Sequence, residues 1–221
     1  MKISDAPKTE TADIAGMLQR TDAWYADRCG KVTASPNLKV YKKLKSGGYS
    51  SERETYFFQV LGETLTGVPT TGFKSSAMQR GIDKEAEARE AYQRKTNYPV
   101  YEAPFIQHPR IERAGASPDG FVGDDGLIEI KCPTAATTAK VLLNDYLDET
   151  YAAQMQWQMA CTGRQWCDYV VYDDRMPENL RLYVRRISRD DALIADVEKE
   201  VIKFLEEIDA AVVAINTKYA A

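Results

Sequence analysis

Asp119, Glu129 and Lys131 are charged residues grouped around a predicted β-hairpin. Side chains of an extended strand alternate between two faces, so Glu129 and Lys131 would point to one side and Ile128 and Ile130 to the other. Two carboxylates that converge from neighbouring strands form an oxygen-rich site that suits Mg²⁺ or Mn²⁺, and the carbonyl of Ile130 could add a further hard ligand. The spacing therefore indicates a candidate metal site.

The chemistry that such a site favours is hydrolysis of a phosphodiester. A metal held there would polarise the phosphoryl oxygen and lower the pKa of bound water. Lys131 would orient the attacking water or stabilise developing negative charge, and would act as a general base only if its pKa were strongly lowered. The alternative is a plain hairpin with a Glu–Lys pair on its solvated face, which is the more common structure for this pattern taken alone.

The elements that would position the hairpin are predicted from hydrophobic periodicity and turn residues. Segment 120–131 has two β-prone runs around Gly-Asp-Asp-Gly, which is typical of a hairpin. Residues 9–28 are helical or irregular, and helices are predicted over 51–66, 75–95, 150–162 and 189–217. A short helix follows the turn at 33–37, where Ser35 is a candidate N-cap. Strands are predicted over 98–106, 166–173 and 180–187. This order predicts one α/β domain over residues 1–221, with a mixed sheet flanked by helices.

Composition and charge restrict the class of protein. The chain has 221 residues, of which 44% are hydrophobic. It contains no apolar run long enough to span a bilayer, and its N-terminus does not resemble a signal peptide. We therefore expect a cytoplasmic protein without a membrane span. The net charge of −4 argues mildly against a nucleic-acid binder. However, residues 28–51 are basic and residues 190–209 are mainly acidic, so a basic face could meet DNA while the acidic C-terminal helix faces away.

Cysteine and histidine usage argues against several other chemistries. The four cysteines form no C-x-x-C pair, so free thiols are expected rather than a zinc or iron–sulfur site. His108 is the single histidine. A Ser-His-Asp hydrolase or a histidine-metal nuclease would depend wholly on it, which argues against both classes.

Five short motifs in a fixed order extend the hairpin residues. They are Arg28-Cys-Gly-Lys-Val-Thr-Ala-Ser35, Gly81-x-x-x-Glu85, Ala116-Ser-Pro-Asp-Gly120, Glu129-Ile-Lys-Cys-Pro133 and Gln154-Met-Gln156. In these motifs the sequence resembles the PD-(D/E)XK nuclease superfamily, and within it the phage-type alkaline exonucleases, the lambda exonuclease and YqaJ-like viral recombinase family. The resemblance extends from about residue 22 to 187 and implies a restriction-endonuclease-like core.

The resemblance implies a role for each matching position. Metal ligation is implied for four positions: Asp119, Glu129, Glu85 and the carbonyl of Ile130. Lys131 would be the catalytic lysine, and Gln154 would position it or the water. Without the family, Glu85 is better explained as a surface partner of Arg89 at i+4, and Gln154 equally well as a plain helix residue. Related nucleases often carry a tyrosine four residues after this glutamine, where this sequence has Gln158.

Arg28, Ser35 and Ser117 resemble the family's 5′-phosphate pocket. A guanidinium fork with hydroxyl donors near a helix N-terminus suits a phosphate. Ser35 could equally be only an N-cap, and Ser117 only a turn residue.

The implied activity is Mg²⁺-dependent 5′→3′ digestion of one strand of linear double-stranded DNA, from 5′-phosphorylated ends. Mn²⁺ could replace Mg²⁺, and two ions per site are implied. The 3′ overhang would serve recombination with a single-strand annealing protein, in a phage or prophage system of a bacterial host. A ring-shaped homotrimer would enclose the DNA. We expect Lys42, Lys43 and Lys45 to line its channel, and Met78 to act as a wedge at the terminal base pair unless it is a core methionine.

Three other interpretations remain open. A RecB-like or CRISPR-associated nuclease would use Cys29, Cys161 and Cys167 for an iron–sulfur cluster. A restriction-type endonuclease would cut closed circular DNA. A non-catalytic DNA-end clamp would load an annealing protein, although it would not need the residues of the candidate metal site.

Overall fold

The computed structural model describes residues 19–44, 47–70 and 75–220. Its helices are α1 Asp22–Arg28, α2 Asn37–Tyr41, α3 Ser51–Thr66, α4 Ser76–Thr96, α5 Ala135–Asn144, α6 Glu149–Thr162 and α7 Asp191–Lys218. Its strands are β1 Val32–Thr33, β2 Val100–Tyr101, β3 Ile106–Gln107, β4 Ala114–Ala116, β5 Gly120–Val122, β6 Gly126–Lys131, β7 Trp166–Tyr172 and β8 Leu182–Ser188. A 3₁₀ turn covers Glu178–Leu180. Within these ranges, no helix is both long and apolar enough to cross a membrane.

The strands form two mixed sheets. The larger has the order β2-β5-β6-β7-β8, and the smaller has the order β1-β4-β3. Strands β6 and β7 pair in parallel, and the other neighbours in the larger sheet are antiparallel. Strand β6 is therefore internal to the sheet and can present residues to both of its faces.

The predicted hairpin is present as β5 and β6. Gly120 pairs with Ile128 and Val122 with Gly126. Gly123 has a φ of +53°, which the turn requires and which a glycine adopts at low cost. The predicted hairpin is thereby confirmed.

The single strand predicted over 98–106 is wrong. Val100–Tyr101 pairs with β5 in the larger sheet, whereas Ile106–Gln107 pairs with β4 in the smaller one. Pro104 lies between the two segments and has no amide hydrogen for a sheet ladder, so the strand is interrupted where the chain passes between sheets.

Helices cover both faces of the larger sheet. Tyr92 of α4 packs on the face that carries Ile128 and Ile130. Met155 of α6 packs on the opposite face, which carries Leu127. A third apolar cluster joins the smaller sheet to helices α3, α6 and α7. Because helices cover both faces, nearly every residue of β6 and β7 is buried.

Helix ends follow the predicted signals in most places. Helices α3 and α6 stop at Gly67 and Gly163, which have φ values of +66° and +74°. Helix α5 was not anticipated, although the side chain of Thr134 caps it by accepting a hydrogen bond from the amide of Thr137. Ser35 is not the N-cap of α2, because that helix begins at Asn37 and the flanking position belongs to Pro36.

Candidate active site

Glu129 and Lys131 lie side by side on β6, under helix α6. The Nζ atom of Lys131 is 2.5 Å from Oε1 of Glu129. Their face is opposite to the one with Ile128 and Ile130, as strand alternation predicts. It is not a solvated face, since only 1% of Glu129 is exposed. The plain surface hairpin is therefore excluded: a carboxylate has been buried beside a lysine, which costs free energy unless both groups are paired.

Asp119 lies in the short connection between β4 of the smaller sheet and β5 of the larger one. Its Oδ2 accepts a hydrogen bond of 2.7 Å from the amide of Ile130. Burial raises the pKa of the Asp119 carboxyl, and the negative charges of Glu129 and Glu85 raise it further. Asp119 is therefore tied to the strand that carries Glu129, and the three carboxylates share one electrostatic environment.

Lys131 is held in its charged form. Burial opposes the charge, but Glu129 and Asp119 outweigh this effect and raise the pKa of Lys131. The condition for a general-base lysine, a strongly lowered pKa, is thus not met in this arrangement. A protonated lysine can instead stabilise negative charge that develops in a reaction.

One face of helix α6 covers this charged pair. The Tyr151 ring centroid is 4.7 Å from Nζ of Lys131, and the Gln154 Oε1 is 3.5 Å from the same nitrogen. Gln158 donates from Nε2 to Oε2 of Glu129 at 2.6 Å. Gln154 was anticipated, but no role in the site was expected for Tyr151 or Gln158. Their spacing of three and four residues from Gln154 is the helical signal that could have indicated them.

Glu85 lies on α4 between two arginines. Its Oε1 is 3.0 Å from Nη2 of Arg89, which is the i+4 pair expected without the family, and its Oε2 is 2.5 Å from Nη2 of Arg20. The same Nη2 of Arg89 also donates to the backbone carbonyl of Asp119 at 3.3 Å. Arg89 therefore links Glu85 to the Asp119 turn.

Hard oxygen donors for a divalent cation are present, but they are engaged with groups of the protein. Within the described residues, no three acidic, histidine or cysteine side chains converge as a metal-binding group. The reason is that Glu85 faces arginines while Glu129 contacts Lys131 and Gln158. The donor set nevertheless fits Mg²⁺ or Mn²⁺, because burial and the negative charges of Glu129 and Glu85 raise the pKa of Asp119, and a cation would favour its charged form.

The four cysteines are free. In the part of the chain that the structure describes, Cys29, Cys161 and Cys167 do not come together in any potential metal-binding group. The structure thus contradicts the ligand set required by the iron–sulfur interpretation.

A cavity of about 420 Å³ has Arg28 and Ser35 in its lining. Ser117 joins them through its hydroxyl, which accepts hydrogen bonds from Arg28 at 3.0 Å and from the indole of Trp24 at 2.9 Å. The Arg28 guanidinium also lies 4.1 Å from the centroid of the Trp24 ring. Arg28 and Ser117 are thereby in direct contact, and Ser35 lines the same cavity as Arg28.

Trp24 was missed in the sequence, although its position four residues before Arg28 on a helix was a usable signal. Burial lowers the pKa of Arg28. A guanidinium nevertheless stays charged in proteins. The lining also contains Glu63, whose Oε2 accepts a hydrogen bond of 2.9 Å from the amide of Gly30.

Met78 lies on the first turn of α4 and lines the same cavity. Its side chain is not part of the core, since 58% of it is exposed. The alternative of a core methionine is therefore wrong.

The basic residues of the loop after α2 do not form a free basic surface. Lys42 pairs with Glu149 of α6, and Lys43 lies 3.1 Å from Glu200 of α7. Lys45 lies outside the described residues. The expectation that the acidic C-terminal helix faces away from the basic segment is wrong at this point, because α7 packs directly against α2 and α3.

Comparison with known proteins identifies the family of this chain. A model of the YqaJ-like viral recombinase domain matches residues 23–165, which is more than half of the chain. The chain belongs to this family. No curated protein sequence matches it.

Solved structures agree with the YqaJ-like assignment. An alkaline exonuclease from Laribacter hongkongensis is 45% identical, with a TM-score of 0.85 over 90% of this chain and 98% of that one. The same enzyme in complex with dAMP matches equally well. A phage-related exonuclease from Haemophilus somnus 129PT, 16% identical, shares the fold with a TM-score of 0.65 over 84% of this chain and 96% of that one. The expected exonuclease-like family and PD-(D/E)XK-type fold are confirmed.

Proposed function

We propose that this YqaJ-like protein is a Mg²⁺-dependent exonuclease that digests one strand of linear double-stranded DNA in the 5′→3′ direction. It would start at 5′-phosphorylated ends and leave a 3′ overhang for recombination by strand annealing. Family membership and 45% identity to an alkaline exonuclease imply a DNA exonuclease. The finer activity is supported by the geometry described above.

One connection carries the proposal. Ser117 accepts the hydrogen bond of Arg28, and Asp119, two residues later, accepts that of Ile130 beside Glu129. A terminal phosphate held by Arg28 and Ser117 would therefore lie one short turn away from the carboxylates. This is the arrangement that an enzyme needs in order to cut close to a 5′ end.

Four groups would hold the divalent cation, and the family resemblance implies two ions per site: Asp119, Glu129, Glu85 and the carbonyl of Ile130. When bound, Mg²⁺ or Mn²⁺ supplies charge neutralisation at the phosphoryl group and a lower pKa for water. Binding at Glu85 would compete with its contacts to Arg20 and Arg89.

The remaining residues of the site orient groups and stabilise charge. Lys131 stays protonated and presents a positive charge to the phosphoryl oxygens. Gln154 accepts from Lys131, and the Tyr151 ring lies against the same ammonium group, so together they limit its freedom. Restricting the lysine in this way reduces the reorganisation needed when charge develops.

The cavity around Arg28 would recognise the 5′ end. The guanidinium fork and the hydroxyls of Ser35 and Ser117 suit a phosphate monoester. The Laribacter enzyme binds dAMP, which carries such a group, and this supports a nucleotide site in the present chain.

The duplex would be held outside the active site. Lys42, Lys43 and Lys45 would contact its backbone, Lys42 and Lys43 after release from Glu149 and Glu200, and exposed Met78 would separate the terminal base pair. A ring-shaped homotrimer and a single-strand annealing partner complete the proposal by family resemblance.

The test uses three substrates with Mg²⁺: linear duplex with a 5′-phosphate, linear duplex with a 5′-hydroxyl, and closed circular duplex. We expect the 5′-phosphorylated duplex to be digested faster than the 5′-hydroxyl duplex, and closed circles to stay intact. Lys131→Ala should lose activity on both linear substrates. Cleavage of circles would favour a restriction-type endonuclease. Tight binding of ends without any digestion would favour a non-catalytic end clamp.

A further inference from the structure

Gln158 lies on α6 at the position where related nucleases often have a tyrosine. We propose that Gln158 is a positioning residue that holds the carboxylate of Glu129 in place to bind a divalent cation. This inference rests on the proposed metal site at Asp119 and Glu129.

Two contacts determine the orientation of the Glu129 carboxylate. Gln158 Nε2 donates to Oε2 at 2.6 Å from helix α6, and Lys131 Nζ lies 2.5 Å from Oε1 on the strand itself. Gln158 has no exposed surface and Glu129 only 1%. Water therefore cannot replace the Gln158 contact, and loss of the amide would leave Oε2 without its donor.

The amide of Gln158 has only one possible orientation. Rotation by half a turn would direct its oxygen at the carboxylate, and two acceptors would face each other. In the observed orientation Oε1 is buried and has no hydrogen-bond partner within the described residues. A buried acceptor without a partner costs free energy, and a methionine or leucine of similar size would avoid that cost. Core packing alone therefore does not account for a glutamine here, whereas the contact with Glu129 does.

Gln156, two residues earlier, provides the contrast. It is also buried, but both ends of its amide are satisfied by backbone groups. Nε2 donates to the carbonyl of Ser188 at 2.8 Å, and Oε1 accepts from the amide of Asp190 at 2.9 Å. Gln156 thus joins the end of β8 to the start of α7 and is a matched structural control.

The experiment measures binding of Mn²⁺ alone by isothermal titration calorimetry, on the full chain without DNA. The variants are Gln158→Met, Gln156→Met and Glu129→Gln, each with its melting temperature. Loss of a residue that orients a metal ligand weakens metal binding by about tenfold or more. We expect this loss in Q158M. In Q156M we expect a lower melting temperature with unchanged Mn²⁺ affinity.

Each outcome bears on a separate claim. Wild-type Mn²⁺ affinity in Q158M, or an equal loss in Q156M, overturns the positioning role. Equal Mn²⁺ binding by wild type and E129Q instead overturns the metal site and so the proposed function. If Q158M does not fold, Gln158→Leu takes its place; failure of both to fold would show that the amide serves folding and would also overturn the inference.

Discussion

The hydroxyl of Ser117 accepts a 3.0 Å hydrogen bond from Arg28, although 89 residues separate the two in the chain. The bond joins helix α1 to the connection that also carries Asp119. A residue proposed to bind the 5′ phosphate is therefore attached to the segment proposed to bind the metal. Substitutions in the proposed phosphate site should therefore also affect cleavage at the proposed metal site, and the reverse.

Arg28→Ala should reduce the preference for a 5′-phosphate over a 5′-hydroxyl. A hydrogen bond to a charged group contributes about 1.5–3 kcal/mol, so we expect the ratio of kcat/KM for the two ends to fall by roughly tenfold or more. Lys39→Gln, which removes a charge from the lining of the same cavity, is the control and should keep the ratio. A ratio that is unchanged in Arg28→Ala would exclude this pocket as the phosphate site.

Lys131→Met should abolish most turnover while duplex binding persists. Loss of one group that stabilises transition-state charge typically lowers kcat by about 10²–10³-fold. In the absence of divalent cations the variant should also unfold more easily, because Glu129 would remain buried without the ammonium group of Lys131 that pairs with it. Adding Glu129→Gln should recover stability but not activity, as measured by urea denaturation and single-turnover digestion. Near-normal digestion by the single variant would contradict the role of Lys131.

Glu85→Gln should raise the Mg²⁺ concentration needed for half-maximal digestion, by roughly tenfold, because a proposed ligand loses its charge. Glu90→Gln on the same helix is the matched control, since that side chain is exposed and pairs only with Arg94 among the described groups. A Mg²⁺ dependence that is equal in both variants would leave Glu85 as no more than the ion-pair partner of Arg20 and Arg89.

Replacing Lys42 and Lys43 with glutamine should flatten the dependence of DNA binding on salt. Removing one lysine–phosphate interaction lowers the slope of log K against log salt by about 0.9. Because both lysines are exposed and paired with Glu149 and Glu200, replacing them should alter the fold very little. Fluorescence anisotropy with duplex ends at several salt concentrations measures the slope. An identical slope would mean that the two lysines pair only with Glu149 and Glu200 and do not contact the DNA backbone.

His108 should make the fold less stable as the pH falls. Burial lowers the pKa of His108, despite opposition from Glu198. Its Nδ1 accepts from the backbone amides of Arg110 and Ile111, so the folded state favours the neutral ring. Its contribution is present above the unfolded pKa of about 6.5 and is lost as the pH falls toward the lower folded value.

Because the chain has one histidine, His108→Gln isolates this effect. Urea denaturation between about pH 7.5 and 5 should show a shallower decline for the variant, by at most about 1.4 kcal/mol per pH unit. The variant should be less stable than wild type near neutral pH. Parallel declines in the two proteins would assign the pH dependence to other groups.

Local pattern was sufficient for much of the fold. Alternation along 128–131 predicted which residues share a face, and the glycines after α3 and α6 predicted where those helices end. These features depend on neighbours within a few residues, which the sequence displays directly. Helix α5 and the interruption at Pro104 were missed because a short amphipathic segment and a crossing between sheets give weak local signals.

The sequence by itself determined the family, the motif residues and the strand that carries Glu129 and Lys131. Only the tertiary structure decided what each of them contacts: Gln158 on Glu129, Trp24 on Ser117, and Arg20 on Glu85. It also placed α7 against the basic loop, where Glu200 pairs with Lys43. Periodicity specifies the face of one element, but pairing between elements depends on how helices and sheets pack. The contacts that a site residue makes beyond its own strand or helix are therefore decided by distant parts of the chain.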